Sequence, residues 1–499
     1  MRELDADFLA LPQDELAQAA LEAMGQVPGL DHGDFRLHRD RIEYLHVKER
    51  DLEAHQELRP IGFGVRLVVD GAWGFAGSSQ CTPEGVRRAV RQAAQLAQIL
   101  RPLQTERVEL APEPAHRATW VAPYEVDPFA VPLEEKVAFM QSVTDRLLRA
   151  GAEFADFTIQ GVVESRLYVS TEGAEVRQQR ARVHPVHRAG IRDASGSGLV
   201  ETMRSDSRPV GEGWEYVRAH DFLGEAERTV ALLQEKLAAP AVDPGPTDLV
   251  IDPSNLWLTV HESVAHGTEL DRALGYEANF AGTTFATPDQ VGTLRYGSPL
   301  MHVTGDRVEP RGLASVGFDD EGVAAQRWDL IREGILVGYQ LNRQMAHRFG
   351  HPRSNGCAFA DSWSHVPLQR MPNVSLQPNP VHDVTLEELL GEVRHGIYVV
   401  GDKSWSIDQQ RYNFQFTGQR FYRIEDGRLA GQLRDVAYQS RTPDFWGRLV
   451  ALGGPSTWSL QGAFNCGKGQ PDQVAPVSHG VPAALFRQVN VLNTRREGR

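Results

Sequence analysis

The stretch Leu256-Trp257-Leu258-Thr259-Val260-His261-Glu262-Ser263-Val264-Ala265-His266 runs from an apolar segment into two imidazoles that enclose a carboxylate. Two neutral histidines can hold Zn²⁺. The glutamate beside the first is poorly placed as a ligand and well placed to take a proton from water. The spacing decides how the segment folds. Residues on a regular helix turn by about 100° each, so side chains five apart diverge by roughly 140° and cannot share one ion. The pattern therefore predicts a helix interrupted by one wide turn at 261–266, a π-bulge of the kind that occurs preferentially at functional sites.

Working outward, the segment Ala238-Ala239-Pro240-Ala241-Val242-Asp243-Pro244-Gly245-Pro246 concentrates prolines that exclude both helix and central strand. It is expected to be a linker, at 239–246, between a domain at 1–238 and a domain at 247–499. Beyond it, short apolar runs alternate with turns such as Glu333-Gly334 and Glu425-Asp426-Gly427. A metal-carrying helix laid against a mostly antiparallel sheet or barrel is the expected architecture there.

The first domain reads as one unit used twice, at about 1–105 and 130–238. In the first copy a helix near Asp14 to Met24 leads to strands at Asp34 to His38, Ile42 to Lys48 and Gly62 to Val69. A closing helix is capped by Thr82 with Pro83 first, and Val86, Ala89, Val90, Ala93, Ala97 and Leu100 form its apolar stripe. In the second copy a helix from Leu133 to Ala150 precedes strands at Phe157 to Gln160, Ser165 to Ser170 and Glu175 to Arg182. The turn Glu172-Gly173 joins the last two, and a helix from Glu225 to Leu237 follows. The fold class is thus α+β, a duplicated N-terminal domain followed by a β-rich C-terminal one.

Composition narrows the functional classes. The chain has 499 residues, 41% hydrophobic and 24% charged, enough for a large core and two or more domains. A net charge of −14 argues against nucleic acid as a partner, because phosphate binding needs clustered Lys and Arg. No apolar run approaches membrane-spanning length and the N-terminal text lacks a secretory signal. Cys81, Cys357 and Cys466 are too few for a disulfide framework. A cytoplasmic setting follows as the expectation.

Catalytic zinc generally takes three protein ligands, so a third is sought. Cys466 lies in Phe464-Asn465-Cys466-Gly467-Lys468-Gly469-Gln470-Pro471, a glycine-flanked loop that could bend close to a metal, with Lys468 near enough to favour a thiolate. The alternative is a small apolar side chain in a turn. The loop also nearly spells a phosphate cradle through Gly462, Gly467 and Lys468. Gly469 replaces the Ser or Thr that would bind Mg²⁺, and Gln470-Pro471-Asp472 cannot open the required helix. His347 and His351 precede or follow the helix-ending Gly350 and are read as helix-end residues. His184 and His187 flank Pro185 in a strand, where a surface or core role is the default.

The segment His261 to Asp271, HESVAHGTELD, resembles the HExxxH-G-x-E-x-D signature of the TldD/PmbA family of zinc metallopeptidases, and the Cys466 loop resembles that family's C-terminal metal loop. Gly62 to Gly77, Asp319 to Gln326 with Leu330 to Leu341, and Arg370-Met371-Pro372-Asn373 are similar to further family segments in the same order. The resemblance implies His261, His266 and Cys466 as zinc ligands and Glu262 as general base. It also implies hydrolysis of short or unfolded peptides, including leader removal from ribosomally made precursors. As partner it implies a second copy or a metal-free paralogue. Ala265 departs from the glycine usual before the second histidine, and Ala273 to Leu300 departs from the family text. The other class that stays open is a zinc-containing scaffold or regulatory binding protein, as the family's older description as a gyrase modulator implies.

Overall fold

The structure is a computed structural model that describes residues 3–193 and 199–495. Strands from both expected repeats form one eight-stranded sheet. At its centre Leu30–Lys48 runs antiparallel to Phe154–Ser170, in register from Asp34 opposite Ser170 to Lys48 opposite Asp156. The sequence reading breaks each of these strands in two, at 39–41 and at 161–164, where charges interrupt the apolar alternation. Both strands continue, because the interrupting charges are answered. Arg39 pairs with Asp5 at 3.0 Å, Arg41 pairs with Asp127 at 2.6 Å, and Glu164 accepts from Arg182 at 2.5 Å. The Asp51–Leu58 strand, which the sequence reading lacks, extends the sheet as a hairpin on Leu30–Lys48.

Alternation along Leu30–Lys48 sorts its side chains to two faces. Phe35 and Leu37 pack under the helices Gln13–Met24 and Pro83–Leu100, while Leu45 and Val47 pack under Leu133–Arg149 and Phe222–Ala238. Thr82 caps the second of these helices, its hydroxyl accepting from the Gly85 N–H at 3.1 Å. The expected stripe from Val86 to Ala97 is buried, but Leu100 emerges 42% exposed where the helix ends. On the opposite face Asp34, Arg36, His38 and Asp40 are buried without any helix above them. Residues 319–365 reach this face instead, Arg36 pairing with Asp320 at 3.5 Å and donating to the His365 carbonyl at 2.9 Å. Arg66 bridges Asp34 at 2.6 Å and Glu321 at 2.8 Å, and Arg166 pairs with Asp320 at 2.8 Å.

The proline-rich connection after Ala238 is tied down, since Val242 is buried and its N–H donates to the Arg434 carbonyl at 3.1 Å. It leads into a closed barrel of five strands, Gly245–Ile251, Ala484–Asn493, Val436–Arg441, Asn413–Glu425 and His395–Ile407. The barrel is antiparallel except where His395–Ile407 pairs parallel to Gly245–Ile251. Helix Pro253–Val260 follows the first strand, capped by Asp252, whose carboxylate accepts from the Ser254 N–H at 2.9 Å. Its Leu256 and Val260 share a core with Ile397, Phe416, Tyr438 and Phe486. A two-stranded hairpin, Ser459–Lys468 with Gln473–Val481, packs on the same helix. No helix among the described residues is long and apolar enough to cross a membrane.

Candidate metal centre

The expected distortion is present. Residues His261–Ala265 form a π-turn in which the His266 N–H donates to the carbonyl of His261, five residues back. A wide turn strands backbone carbonyls, and a buried carbonyl without a donor costs about 1–3 kcal/mol. Side chains answer them here. Tyr296 donates its hydroxyl to the Ser263 carbonyl at 2.5 Å and Gln340 donates to the Ala265 carbonyl at 2.5 Å. Gly267 lets Tyr296 approach, since a Cβ there would lie 2.5 Å from the phenol oxygen. Ala265 is accommodated fully buried within the turn.

The π-turn puts His261 and His266 on one side, with ring centroids 4.7 Å apart. Cys466 comes from the hairpin, its Sγ 3.7 Å from His266 Nε2. One donor atom from each of the three lies within 4.8 Å of the others. A nitrogen and a sulfur on one tetrahedral zinc sit about 3.5 Å apart, so this set fits the ion. Cys466 is not in a loop as the glycines suggest. It lies on the Ser459–Lys468 strand, three residues past Ala463, where the pairing slips register and re-aims the thiol. Lys468 directs its ammonium elsewhere. The ammonium is buried against Asp271 at 2.8 Å and Glu269 at 3.0 Å, which locks the hairpin to the segment after the π-turn.

Hydrogen bonds on the far side of each ring fix which nitrogen faces inward. His266 Nδ1 lies 2.8 Å from Glu269 Oε2, a carboxylate that only accepts, so Nδ1 carries the hydrogen and Nε2 keeps its lone pair. His261 is fixed through His479. That ring's Nδ1 is 2.8 Å from the Val374 carbonyl and must donate, which leaves its Nε2 to accept from His261 Nδ1 at 2.8 Å. Both Nε2 atoms are therefore presented to the thiol. Burial pushes the Cys466 thiol up, but His261 beside it and Arg370 nearby bring it below its usual value. Burial drives His479 well below its usual range, which suits a neutral acceptor.

Glu262 is 6% exposed and its Oε2 accepts from Arg411 Nη1 at 2.6 Å. Arg411 sits in the tight connection between two barrel strands at φ 60°, where Asp408 gathers the N–H groups of Gln410, Tyr412 and Asn413. Sequence reading misses Arg411 and His479 as parts of the centre. Neither stands in a motif, and only the hairpin geometry brings His479, thirteen residues beyond Cys466, beneath His261. Of the other histidines, His187 is buried among Phe157 and Phe222, and His184 lies tilted against Phe464 with ring centroids 5.6 Å apart. His347, in the last turn of a short helix, pairs with Glu109 at 2.7 Å.

The chain is similar over nearly its whole length to known proteins. A metalloprotease of Methanothermobacter thermautotrophicus is 25% identical over 468 residues, covering 93% of this chain and 96% of the relative. A zinc metalloprotease TldD homolog of Saccharolobus solfataricus is 22% identical, covering 86% and 89%. Among solved structures, TldE from Thermococcus kodakarensis superposes with a TM-score of 0.71 at 18% identity, covering 95% of this chain and 99% of that one. Residues 33–97 match PmbA/TldA metallopeptidase domain 1. Residues 244–493, half of the chain, match the PmbA/TldA metallopeptidase C-terminal domain, and the chain belongs to that family of hydrolases.

Proposed function

We propose that the protein hydrolyses peptide bonds in short or unfolded peptides with a zinc ion held by His261 Nε2, His266 Nε2 and Cys466 Sγ, and with Glu262 as general base. The observation that carries this reading is the convergence of three donor atoms within 4.8 Å beside a buried carboxylate. Bound there, zinc would acidify water and polarise the scissile carbonyl. Arg411 holds Glu262 by Oε2, and Oε1, with no hydrogen bond among the described residues, is free to take a proton from water and deliver it to the leaving amine. Glu269 and His479 keep the two imidazoles in the tautomer a metal needs. A thiolate ligand donates more charge than a third imidazole and weakens the Lewis acid, which gives the nearby Arg411 cation added weight.

The ligands and the base are each only 5–6% exposed, so a folded domain cannot bring its backbone to them while an extended peptide can. All three cysteines are free, and a ligand thiol suits the reducing setting of the cytoplasm. The partner proposed is a second copy or a metal-free paralogue. A homodimer active by itself would favour the first.

Glu262→Gln is expected to retain zinc at parental stoichiometry and to lose about 10²–10⁴-fold in kcat. A chelator should abolish peptide cleavage and zinc should restore it. A parent chain that binds zinc and cleaves no peptide would replace this reading with the scaffold, and a Glu262→Gln chain as fast as the parent would remove Glu262 as the base.

A further inference from the structure

One cavity is built around positive charge that the fold does not neutralise. Arg307 follows directly on the Val303–Asp306 strand and is 2% exposed. Its guanidinium takes part in no ion pair or hydrogen bond among the described residues, and its Nε is enclosed without a partner. The other deeply buried arginines are answered: Arg36 by Asp320 and the His365 carbonyl, Arg66 by Asp34 and Glu321, Arg272 by Glu269 and Glu277, Arg343 by Glu172, and Arg370 by backbone carbonyls. A buried charge without a counter-charge is strongly unfavourable, and such groups persist chiefly where function requires them.

Arg307 lines a cavity of about 260 Å³ together with Arg180, Arg182, Trp120 and Leu313. Arg180 and Arg182 do not bring spare counter-charge. Both lean on the single carboxylate of Glu164, which Arg166 also uses. Burial and the crowding of Arg182 and Arg166 pull the Arg180 guanidinium down to about 9 despite Glu164, the mark of a place short of negative charge. Glu309 is the one acidic residue on this lining, and it pairs with none of these arginines; Arg307 also borders a smaller cavity with Asp319 and Asp320, where Arg166 engages Asp320 and burial pushes the Asp319 carboxyl up to about 7.

The remaining walls are mostly apolar, apart from Ser315 and Arg311, which pairs with Glu212 at 3.1 Å, and the volume is below the roughly 300–1,000 Å³ of sites for drug-sized ligands. One amino-acid residue bearing a carboxylate fits this combination, with the planar guanidinium offering two parallel N–H donors. Leu313 connects the cavity to the metal centre. Its N–H donates to Ser478 Oγ at 3.0 Å and its side chain packs against Phe464, both on the hairpin that carries Cys466 and His479.

We propose that this cavity is a specificity subsite that binds a carboxylate of the peptide substrate through Arg307, with Arg180 and Arg182 supplying the surrounding positive field and Trp120 and Leu313 the apolar walls. The inference rests on the peptidase reading above. The carboxylate has two sources, a peptide C-terminus or an acidic side chain.

The test uses the full-length zinc-loaded chain and one cleaved peptide in three forms: free acid, C-terminal amide, and with its acidic residue changed to the amide. Removing the responsible carboxylate should raise KM roughly 10–100-fold, the range of a charge-assisted hydrogen bond, with kcat little changed. The amide form identifies the C-terminus as the source and the side-chain change identifies the acidic residue. Arg307→Gln should erase the preference, and Arg307→Lys, which keeps the charge and loses the fork, should weaken it. Arg307→Gln should melt no lower than the parent, since it removes an unpaired buried charge. Equal KM for all three peptides in the parent would overturn the subsite and leave the peptidase reading standing. If the parent cleaves nothing, calorimetry of the free-acid and amide peptides with parent and Arg307→Gln decides the subsite by itself: carboxylate-dependent binding lost in the variant supports it, and equal binding overturns it. A change of oligomeric mass in Arg307→Gln with unchanged KM would assign Arg307 to a contact between copies and overturn the proposal.

Discussion

The metal centre and the polar face of the N-terminal sheet are both buried and both charged, yet they are built in opposite ways. At the centre the outer nitrogen of each imidazole is engaged, by Glu269 and by His479, and three inner donor atoms converge. On the sheet face charges of opposite sign answer one another directly, Arg66 with Asp34 and Glu321, Arg166 with Asp320 and Glu164. The first arrangement leaves lone pairs for an ion. The second fastens residues 319–365 to the sheet. The difference teaches that burial of charge marks a ligand site only where the partners stop short of the inward-facing atoms. By that criterion Arg307 belongs with the metal centre rather than with the arginines around it.

Mutations should separate the two regions. Arg66→Met leaves Asp34 and Glu321 buried without their cation, and removal of one partner from such a network costs about 3–5 kcal/mol. Denaturant unfolding should show that loss while zinc stoichiometry stays at the parental value. Zinc falling with stability would mean that the sheet face helps to form the centre.

A smaller effect is expected at Asp40, on the same face. Burial pushes its carboxyl up to about 7 against the pull of Arg166. Between about pH 4, the ordinary carboxylate value, and pH 7 the folded form keeps a proton that the unfolded chain releases. The associated stability is therefore complete below about pH 4 and lost as pH rises through 7. Asp40→Asn keeps the shape without the charge, so at pH 7–8 it should be more stable than the parent by at most about 4 kcal/mol, with the gap closing toward pH 4. Parallel stability curves would show that Asp40 ionises as freely as in the unfolded chain.

The candidate metal centre is legible in proportion to how local its parts are. His261, Glu262 and His266 lie in six residues whose spacing is incompatible with a regular helix, so the π-turn could be read from the sequence alone. Cys466 is singled out by its glycine-flanked segment and again by the family resemblance, but its strand setting is not, because the glycines read as a turn and the register slip after Ala463 has no sequence mark. His479 and Arg411 enter only through strand pairing and a connection between barrel strands, which single-sequence periodicity does not encode. The sheet failed in a related way. Arg39-Asp40-Arg41 looks like a solvated break, and it is a strand interior because its counter-charges come from Asp5, Asp7 and Asp127, far away in sequence.

The smallest effect expected is at Tyr296, and it bears on what holds the π-turn open. The phenol touches no ligand. It donates to the Ser263 carbonyl, while Ser263 Oγ donates to the Thr259 carbonyl and accepts from the Trp446 indole at 2.9 Å. Tyr296→Phe removes only the donor and leaves the ring against Phe285 in place. If the turn is an autonomous property of the His261–Ala265 text, the variant should match the parent in both stability and zinc affinity. If the turn depends on a donor for its stranded carbonyl, the variant should lose about 1 kcal/mol, the usual net value of such a bond, and its zinc affinity should fall by less than the roughly 10–100-fold expected for an outer partner of a ligand. We expect the second result, because the Gly267 position is shaped to admit this hydroxyl and no other described side chain donates to Ser263 O.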